Sequence, residues 1–538
     1  MTHTYYNGII YTGKGEIQQA FTVKDGVFTA VGSNEEILSL PAEQRTDLRG
    51  AFVCAGFNDS HMHLLNLGQV LSIAQLADHT ASLEDMIAAL KETNPGRGGW
   101  ILGRGWNQDL FSGPQVMPTR QDLDRVSQKY PVCAIRACGH ALSVNSKALE
   151  LLGITADTPQ MEGGQIVMED GCPNGIFLDN AMPLVLSQIP LPSKQEVKQM
   201  LRSSCRALNR QGITSCHSDD YSTLQYLPWQ MVNEAYRELE EAGELTVRVY
   251  EQANFTNAQS LREFIDAGNT TGTGSDFFRI GPLKMLGDGA LGARTAYLSR
   301  PYADDPATTG LCVFPPEVFD EMIGMANEAG IQVAIHCIGD ACLDLVLSSI
   351  EKALENHPRK DHRHGIVHCQ ITREDQLKRI AELGLHVYAQ SIFLDYDIHI
   401  VQDRAGEDLA ATSYRWKTLR DLGATVSNGS DCPVEWPDVL AGIQCAVTRR
   451  DLKGFGPYQP EEAFSVSEAL DSFTKGGAWA SFEENKKGTI APGMLADFVV
   501  LGANPFATDL SQIRSIPIFA TYLGGKQVFS LAGDSLHC

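Results

Sequence analysis

Two histidines separated by one residue follow an apolar run, in the segment Asp59-Ser60-His61-Met62-His63. In an extended strand, residues i and i+2 face the same side, so both imidazoles can bind one metal ion. Imidazole is the commonest side-chain ligand for transition metals in proteins. The spacing therefore predicts a metal site at the end of a first strand.

Four more residues of ligand type end other apolar runs: Lys284, His336, His368 and Asp431. A single histidine in such a place is usually a packed core residue, but here six such residues recur at predicted strand ends. A lysine inside an apolar strand is unusual because burying an ammonium is costly. Lys284 either pairs with a nearby carboxylate such as Asp288, or its amine is carboxylated by CO₂ to give an anionic ligand that can bridge two metals.

This set of residues predicts water-activating chemistry. A bound divalent metal lowers the pKa of water toward ~7, and Asp431 can take the proton as general base and return it to a leaving nitrogen as general acid. Mixed histidine and carboxylate ligation suits Zn²⁺ best, with Fe or Mn as alternatives, at one or two ions per chain. We expect hydrolysis by metal-activated water. The alternatives are deamination or lactone opening at the same site, or a non-catalytic regulatory barrel.

The elements that must position these residues alternate between strands and helices. Most of the apolar runs precede a helical stretch, which predicts an α/β fold, a TIM (β/α)8 barrel with its active residues at the C-terminal strand ends. The eight predicted strands lie near 52–57, 212–217, 246–252, 279–285, 331–336, 364–369, 385–390 and 424–430.

Short β-like runs with glycine turns fill both ends of the chain. We predict that 1–57 and 487–538 form one small β-sandwich domain built from both termini, although two separate β-caps are the alternative. The barrel is expected at 58–486. A βα unit requires ~30 residues. The first two barrel strands are separated by about 100 residues more than this, which predicts an insertion at about 70–205.

The insertion leaves the barrel just after His63, at the catalytic face, so we expect it to cover the active site and help select a small-molecule substrate. It contains Trp100, Trp106 and His140, a combination of apolar walls and polar groups that is typical of a ligand pocket. The alternative is that its aromatic side chains form only the core of the insertion itself.

Charge and cysteine content exclude several classes of function. Among 538 residues, 43 Lys and Arg face 66 Asp and Glu, giving a formal net charge of −23. Such an acidic surface repels phosphate backbones and anionic lipids, so nucleic acid and membrane are not expected partners. Thirteen cysteines occur without a CxxC pair. Their distribution favours reduced thiols and a cytoplasmic location.

Several motifs together resemble those of the amidohydrolase superfamily, in particular its amidohydrolase-3 branch, which contains N-substituted formamide deformylase-like metal-dependent hydrolases. The resemblance covers nearly the whole chain. Its motifs are Gly56-Phe57-Asn58-Asp59-Ser60-His61-Met62-His63, Gly139-His140-Ala141, Asn145-Ser146-Lys147-Ala148-Leu149, Asp288-Gly289-Ala290-Leu291-Gly292-Ala293-Arg294-Thr295-Ala296, His336-Cys337-Ile338-Gly339-Asp340, Val367-His368-Cys369-Gln370, Gly429-Ser430-Asp431-Cys432-Pro433 and Gly488-Thr489-Ile490-Ala491-Pro492-Gly493-Met494-Leu495-Ala496-Asp497-Phe498.

The resemblance implies hydrolysis of an amide-type C–N bond and a role for each ligand. His61 and His63 look like ligands of a first metal, and His336 and His368 like ligands of a second. Carboxylated Lys284 would bridge the two ions, and Asp431 would be the catalytic carboxylate that also touches the first metal.

The resemblance also implies residues that contact substrate and an oligomeric state. His140 and His217 lie in family-like motifs, and His217 or Arg294 would assist at the scissile carbonyl. A homodimer is common in the family.

The chain departs from the family pattern at two kinds of position. Val367 stands where a Glu often precedes the sixth-strand histidine. Cys337, Cys369 and Cys432 follow three site residues where small residues are usual. Because the neighbour of an inward strand residue points outward, we interpret these thiols as packing groups, with a soft-metal site as the alternative.

Overall fold

Eight parallel strands form one sheet in a computed structural model that describes residues 1–224 and 227–531. Each strand pairs with the next along the chain. The strands, called barrel strands 1 to 8 here, are Phe57–Met62, Ile213–Ser218, Arg248–Asn254, Phe278–Leu286, Val333–Cys337, Gly365–His368, His386–Ala389 and Thr425–Asn428.

Backbone hydrogen bonds join the end of barrel strand 8 back to barrel strand 1. Asp431 N donates to His61 O, and His63 N donates to Cys432 O, each over 2.8 Å. Gly429 allows this approach, because a Cβ atom there would lie 2.5 Å from His61 N. The predicted TIM-like barrel is thus confirmed as an eight-stranded parallel α/β barrel.

The first predicted strand was placed wrongly. The range 52–57 falls mainly on Phe52–Ala55, which pairs with Phe498–Leu501 in a separate six-stranded sheet. The other seven predicted ranges overlap barrel strands 2 to 8. Each of these seven strands contains Val, Ile or Leu, residues that are common in buried parallel strands, and this made them recognisable.

Helices follow most barrel strands on the chain. Their amphipathic sequences bury one face, as in Asp340–Asn356, where Val346 and Ile350 are fully buried. Helices of this part of the chain are Trp229–Glu241, Ala258–Asp266, Pro316–Glu328, Asp340–Asn356, Glu374–Glu382, Leu394–Asp397, Val401–Ala410, Trp416–Asp421, Val439–Thr448, Val466–Ser472 and Lys475–Ala480.

Two further sheets are built from the terminal segments, and the second of them combines strands from both ends of the chain. A four-stranded sheet contains Val27–Gly32, Ala20–Lys24, Thr2–Tyr6 and Gln44–Asp47, and a six-stranded sheet contains Lys526–Ser530, Ile518–Leu523, Phe498–Leu501, Phe52–Ala55, Ile9–Tyr11 and Ile17–Gln18. One cluster of buried side chains, which includes Tyr5, Phe21 and Phe498, draws residues from both sheets. The short helix Asn34–Leu38 begins at a capping box formed by Ser33 and Glu36.

The chain divides into two compact units. One contains Met1–Leu64, Cys205–Thr223 and the described part of 237–538; the other contains Leu65–Ser204 and the described part of 224–236. The second unit has its own sheet, of strands Gly164–Glu169, Cys172–Asp179, Ala141–Val144, Val132–Arg136, Ile101–Trp106 and Ala74–Gln75. Its helices include Leu83–Glu92, Arg120–Asp124, Ser146–Leu152, Pro183–Leu186 and most of Lys194–Arg210.

Among the helices of the described ranges, none combines the length and the apolar character that crossing a bilayer would require.

Candidate metal centre

All six predicted ligands lie at or near the C-terminal ends of barrel strands. His61 is in barrel strand 1 and His63 directly follows it, Lys284 is in barrel strand 4, His336 is in barrel strand 5, His368 ends barrel strand 6, and Asp431 comes three residues after barrel strand 8. Because parallel strands end at the same edge of the sheet, one face of the barrel collects them all.

Asp431 lies at the centre of this group. Its Oδ1 is 3.1 Å from His63 Nε2 and 3.4 Å from His61 Nε2, and its Oδ2 is 3.9 Å from His368 Nε2. The rings of His336 and His368 have centroids 4.5 Å apart. One ligand atom from each of His61, His63 and Asp431 can be chosen so that all three lie within 4.8 Å of one another, which is compatible with a shared metal ion.

Each of the four histidines is anchored through Nδ1. The acceptors are Gln252 Oε1 at 2.7 Å for His61, Asp219 O at 3.0 Å for His63, Asp288 Oδ1 at 3.0 Å for His336, and Gln390 Oε1 at 2.8 Å for His368. A ring that donates from Nδ1 carries its lone pair on Nε2 in the neutral state. Four preset Nε2 donors, a carboxylate and a lysine therefore fit a site for divalent metal, and such anchoring is typical of metal-bound histidines.

Burial and neighbouring side chains set the charge states of His61, His368 and Asp431. It lowers the pKa of His61 and of His368 well below the ordinary range, which keeps both imidazoles neutral and able to bind metal. Burial would raise the pKa of Asp431, yet its hydrogen bond with His63 and the neighbouring His61 and His368 hold it well below its usual value. Asp431 is therefore a carboxylate at neutral pH.

The pKa of His63 shifts in the opposite direction from those of His61 and His368. Burial acts to lower its pKa, but the hydrogen bond to Asp431 and the negative charges of Asp219 and Asp431 raise it to about 9. Metal binding to His63 must therefore displace a proton, so the affinity for metal is expected to fall as pH decreases.

Asp288 is not the partner of Lys284. The Asp288 carboxylate accepts hydrogen bonds from His336 Nδ1 and from the backbone N–H groups of Ile338, Gly339 and Tyr297, at 2.7–3.0 Å. The carboxylate that faces the Lys284 amine is Asp219, whose Oδ2 is 3.7 Å from Nζ. Both side chains are only 1% exposed.

The backbone is strained at two ligands. His368 has φ +74° and Asp431 has φ +59°, in the left-handed region that non-glycine residues rarely adopt. Such conformations persist only where the surroundings hold them, and they concentrate at functional sites.

Asp59 helps to anchor the loop that follows barrel strand 8 and carries Asp431. Its carboxylate accepts from Ser430 N at 3.0 Å, from Ser430 Oγ at 2.5 Å and from His61 N at 3.3 Å. Burial raises the pKa of Asp59 to about 7. Asp59 therefore ties the end of barrel strand 8 to the strand that carries the histidine pair.

The cysteines beside the ligands are buried. Cys337, Cys369 and Cys432 are at most 1% exposed, and burial raises the pKa of all three thiols. A neutral, enclosed thiol is a poor metal ligand. Packing is therefore the interpretation that their surroundings favour.

His217 and Arg294 were predicted to assist at the substrate carbonyl. His217 is fully buried in barrel strand 2, against the rings of Tyr250 and Tyr388, and burial lowers its pKa to about 3. Arg294 forms a two-point ion pair with Asp304 through Nε and Nη2, at 3.1 and 2.8 Å. Substrate contact by either residue stays a prediction.

The two substrate-contact candidates of the insertion lie in the second unit. Trp106 is fully buried in a core cluster of that unit, and its Nε1 donates to Ala134 O at 3.1 Å. His140 has a side chain 77% exposed, and its Nδ1 lies 3.0 Å from Asp179 Oδ1. The environment of Trp106 matches the alternative of an internal core, whereas His140 is open to solvent.

Sequence analysis missed Gln252, Gln390 and Asp219. Asp219 and Gln390 directly follow barrel strands 2 and 7, and Gln252 lies near the end of barrel strand 3, so position alone would have included them. Glutamine gives no metal-ligand signal, however, and the two acidic residues after barrel strand 2 were overlooked beside His217.

Comparison with known proteins places the chain in a family. A family model described as the amidohydrolase family matches residues 44–529. The YtcJ amidohydrolase of Bacillus subtilis is 35% identical over 98% of this chain and 99% of its own length. The N-substituted formamide deformylase of Arthrobacter pascens is 26% identical over 96% of both chains.

A solved structure extends this relationship to the fold. An uncharacterized metal-dependent hydrolase from Pyrococcus furiosus is 29% identical, with a TM-score of 0.77 over 94% of this chain and 100% of that chain. The chain therefore belongs to the amidohydrolase family, and it is a metal-dependent hydrolase that acts on carbon–nitrogen bonds.

Proposed function

We propose that this enzyme hydrolyses an amide-type C–N bond in a small molecule, such as an N-substituted formamide or an N-acyl amine, with one or two Zn²⁺ ions per chain. The observation that carries the proposal is the set of four Nδ1-anchored histidines at one face of the barrel. The Asp431 carboxylate lies 3.1, 3.4 and 3.9 Å from His63, His61 and His368. The similarity to a protein named N-substituted formamide deformylase supports the choice of substrate class.

The ligands divide into two groups. His61, His63 and Asp431 would hold one ion, His336 and His368 would hold the other, and a carboxylated Lys284 would bridge them. When bound, the metal supplies Lewis acidity, which acidifies water and polarises the scissile carbonyl. Lys284 is 1% exposed.

Asp431 performs the proton transfer. Its ionised state and its position beside the histidines suit a carboxylate that takes a proton from the attacking water and passes it to the leaving nitrogen. The loop anchored by Asp59 and Ser430 fixes the direction of this carboxylate. The anchored histidine rings hold their nitrogens in place, so little reorganisation is needed during the reaction.

Substrate selection is assigned to the range 70–205, with His140 as its polar contact. The terminal ranges 1–57 and 487–538 are proposed to form one small β-sandwich, with 58–486 as the barrel. A homodimeric state, which rests on the family resemblance, and a cytoplasmic location, which rests on the cysteine distribution, belong to the same proposal.

A substrate screen with measured metal content tests the proposal. Protein produced in metal-replete medium should contain one to two divalent ions per chain by elemental analysis, and chelation should abolish turnover. The zinc-loaded enzyme is then offered N-formyl and N-acyl amines, with lactones and amino-substituted heterocycles as separate arms, and Asp431→Asn as the matched control. Turnover confined to lactones or to deamination would replace the proposed bond type, and metal content far below one per chain would contradict the whole proposal.

A further inference from the structure

Asp219 is a buried carboxylate beside the metal centre that has no place in the ligand set. It directly follows barrel strand 2 and is 1% exposed. Its backbone carbonyl accepts the Nδ1–H of His63 at 3.0 Å, and its Oδ2 faces Lys284 Nζ at 3.7 Å. This one residue therefore contacts ligands from barrel strands 1 and 4.

The Asp219 side chain is held from two sides. Asn254 Nδ2 donates to Oδ2 at 2.8 Å, and Ser222 Oγ donates to Oδ1 at 2.9 Å. A carboxylate can accept about four hydrogen bonds. Capacity is therefore left on the oxygen that faces Lys284.

The separation of Asp219 from Lys284 is informative. At 3.7 Å, the two groups do not form the short charge-assisted contact of about 2.7–2.9 Å that a tight ion pair makes. The Lys284 amine is therefore not held in a tight ion pair with Asp219. A movement of less than about 1 Å would bring an N–H group of Lys284 within hydrogen-bond range of Asp219 Oδ2.

Carboxylation of Lys284 creates a need for such an acceptor. The neutral amine nitrogen adds to the carbon of CO₂, a C=O electron pair moves to oxygen, and one N–H proton leaves to solvent, so that R–NH₂ + CO₂ gives R–NH–COO⁻ + H⁺. One N–H remains on the buried nitrogen, and a buried donor without an acceptor is costly.

We propose that Asp219 is a positioning residue that accepts the remaining N–H of carboxylated Lys284 and thereby sets the plane of its carboxylate toward the metals. This inference rests on the proposed carboxylated bridge. Asp219 acts through Lys284 and touches neither substrate nor reacting atoms.

Carbon-13 NMR of the zinc-loaded enzyme equilibrated with ¹³C-bicarbonate tests the inference directly. The carbamate signal is measured against CO₂ concentration for the wild type, Asp219→Ala and Asp219→Asn. Asp219→Ala leaves the N–H unpaired and should need about 10- to 100-fold more CO₂ for half-carboxylation. Asp219→Asn keeps an acceptor oxygen and should remain close to the wild type.

Two controls keep the test decisive. Asn254→Ala loosens the Asp219 carboxylate without removing it and should shift the CO₂ requirement in the same direction, but less. Asp397→Asn changes another buried carboxylate, which is bonded to Tyr414 and Gln370, and should leave the carbamate signal unchanged. If Asp219→Ala does not fold, the Asn254→Ala measurement decides.

The possible failures are distinguishable. Wild-type carboxylation with an unchanged CO₂ requirement in Asp219→Ala would refute the role of Asp219. Stronger carboxylation in Asp219→Asn would show that Asp219 is a counter-ion to the ammonium form. A wild-type enzyme with metal and turnover but no carbamate signal would overturn the carboxylated bridge itself, and the inference with it.

Discussion

His368 donates from Nδ1 to Gln390 Oε1 over 2.8 Å, and Gln390 Nε2 donates to Tyr388 O over 2.9 Å. The second bond fixes which end of the amide faces the histidine, because a carbonyl oxygen can only accept. His368 must then keep its proton on Nδ1, which directs the lone pair of Nε2 toward Asp431.

Replacing this acceptor should weaken metal binding. Gln390→Ala frees the His368 ring and tautomer, and the loss of such a contact typically lowers metal affinity by about 10–100-fold. The measurement is a titration of the zinc-loaded protein with a competing chelator. Gln390→Glu keeps an acceptor at the same place and should retain most of the affinity. Equal chelator curves for wild type and Gln390→Ala would mean that His368 is oriented by other contacts.

Removing the proton-transfer group should stop catalysis while the fold remains. Asp431→Asn is expected to lower kcat by about 10²–10⁴-fold, since an amide cannot take or return the proton. Steady-state kinetics, elemental analysis and circular dichroism are measured on the same preparation. A normal kcat with normal metal content would assign the general base to another residue.

Lys284 should be required for metal retention. Lys284→Ala is expected to lose metal and turnover together, and a short carboxylic acid such as formate or acetate should partly restore both by replacing the missing anionic ligand. Lys352→Ala, a change at an exposed lysine paired with Asp320, serves as the control and should alter neither. Full metal content and activity in Lys284→Ala would exclude the bridging role.

Most of the barrel could be predicted because the runs that contain seven of its strands alternate with helical stretches. Barrel strand 1 could not be delimited in the same way. Its sequence, Phe-Asn-Asp-Ser-His-Met, is polar although every residue in it is buried. The adjacent Phe52–Ala55 has the more strand-like sequence and therefore attracted the prediction. A strand that contributes many functional side chains loses the pattern by which strands are recognised.

The metal ligands could be predicted, but the residues that orient them through hydrogen bonds could not. Histidines at strand ends carry a signal in their type and spacing, whereas the contacts of Gln252 and Gln390 appear only when distant strands are brought together. Sequence distance also misled the choice of partner for Lys284. Asp288 is four residues away but turns toward His336, while Asp219 is 65 positions earlier and faces the amine.

His217 should make the stability of the enzyme depend on pH. Its pKa is about 3 in the folded protein, because of burial, and near 6.5 when unfolded. The unfolded chain therefore binds more protons than the folded protein between these two pH values. The stabilisation that neutral, buried His217 gives is complete above pH 6.5 and is lost as the pH falls toward 3, by up to about 1.4 kcal/mol per pH unit.

Replacing His217 with a side chain that does not titrate isolates this effect. In chelator-treated protein, the Tm of His217→Gln should fall less than the Tm of the wild type when the pH is lowered from 7 to 4.5. His357→Gln, at a half-exposed histidine, is the control and should follow the wild type. Parallel Tm curves for His217→Gln and the wild type would show that His217 is not neutral and buried in solution.

Trp106 and His140 should separate the two possible uses of the insertion. Trp106 is fully buried, so Trp106→Ala should cost about 3–5 kcal/mol of stability, as is usual for a large core side chain. His140 is exposed and its pair with Asp179 is worth little, so His140→Ala should change Tm hardly at all.

If His140 contacts substrate, His140→Ala should raise KM selectively across N-acyl amines of different bulk while metal content and kcat on the smallest substrate stay near the wild type. The stability of Trp106→Phe, which keeps most of the packing, is compared with that of Trp106→Ala. A KM profile for His140→Ala that is indistinguishable from wild type would remove His140 from the substrate site and leave the insertion's role in specificity to other residues.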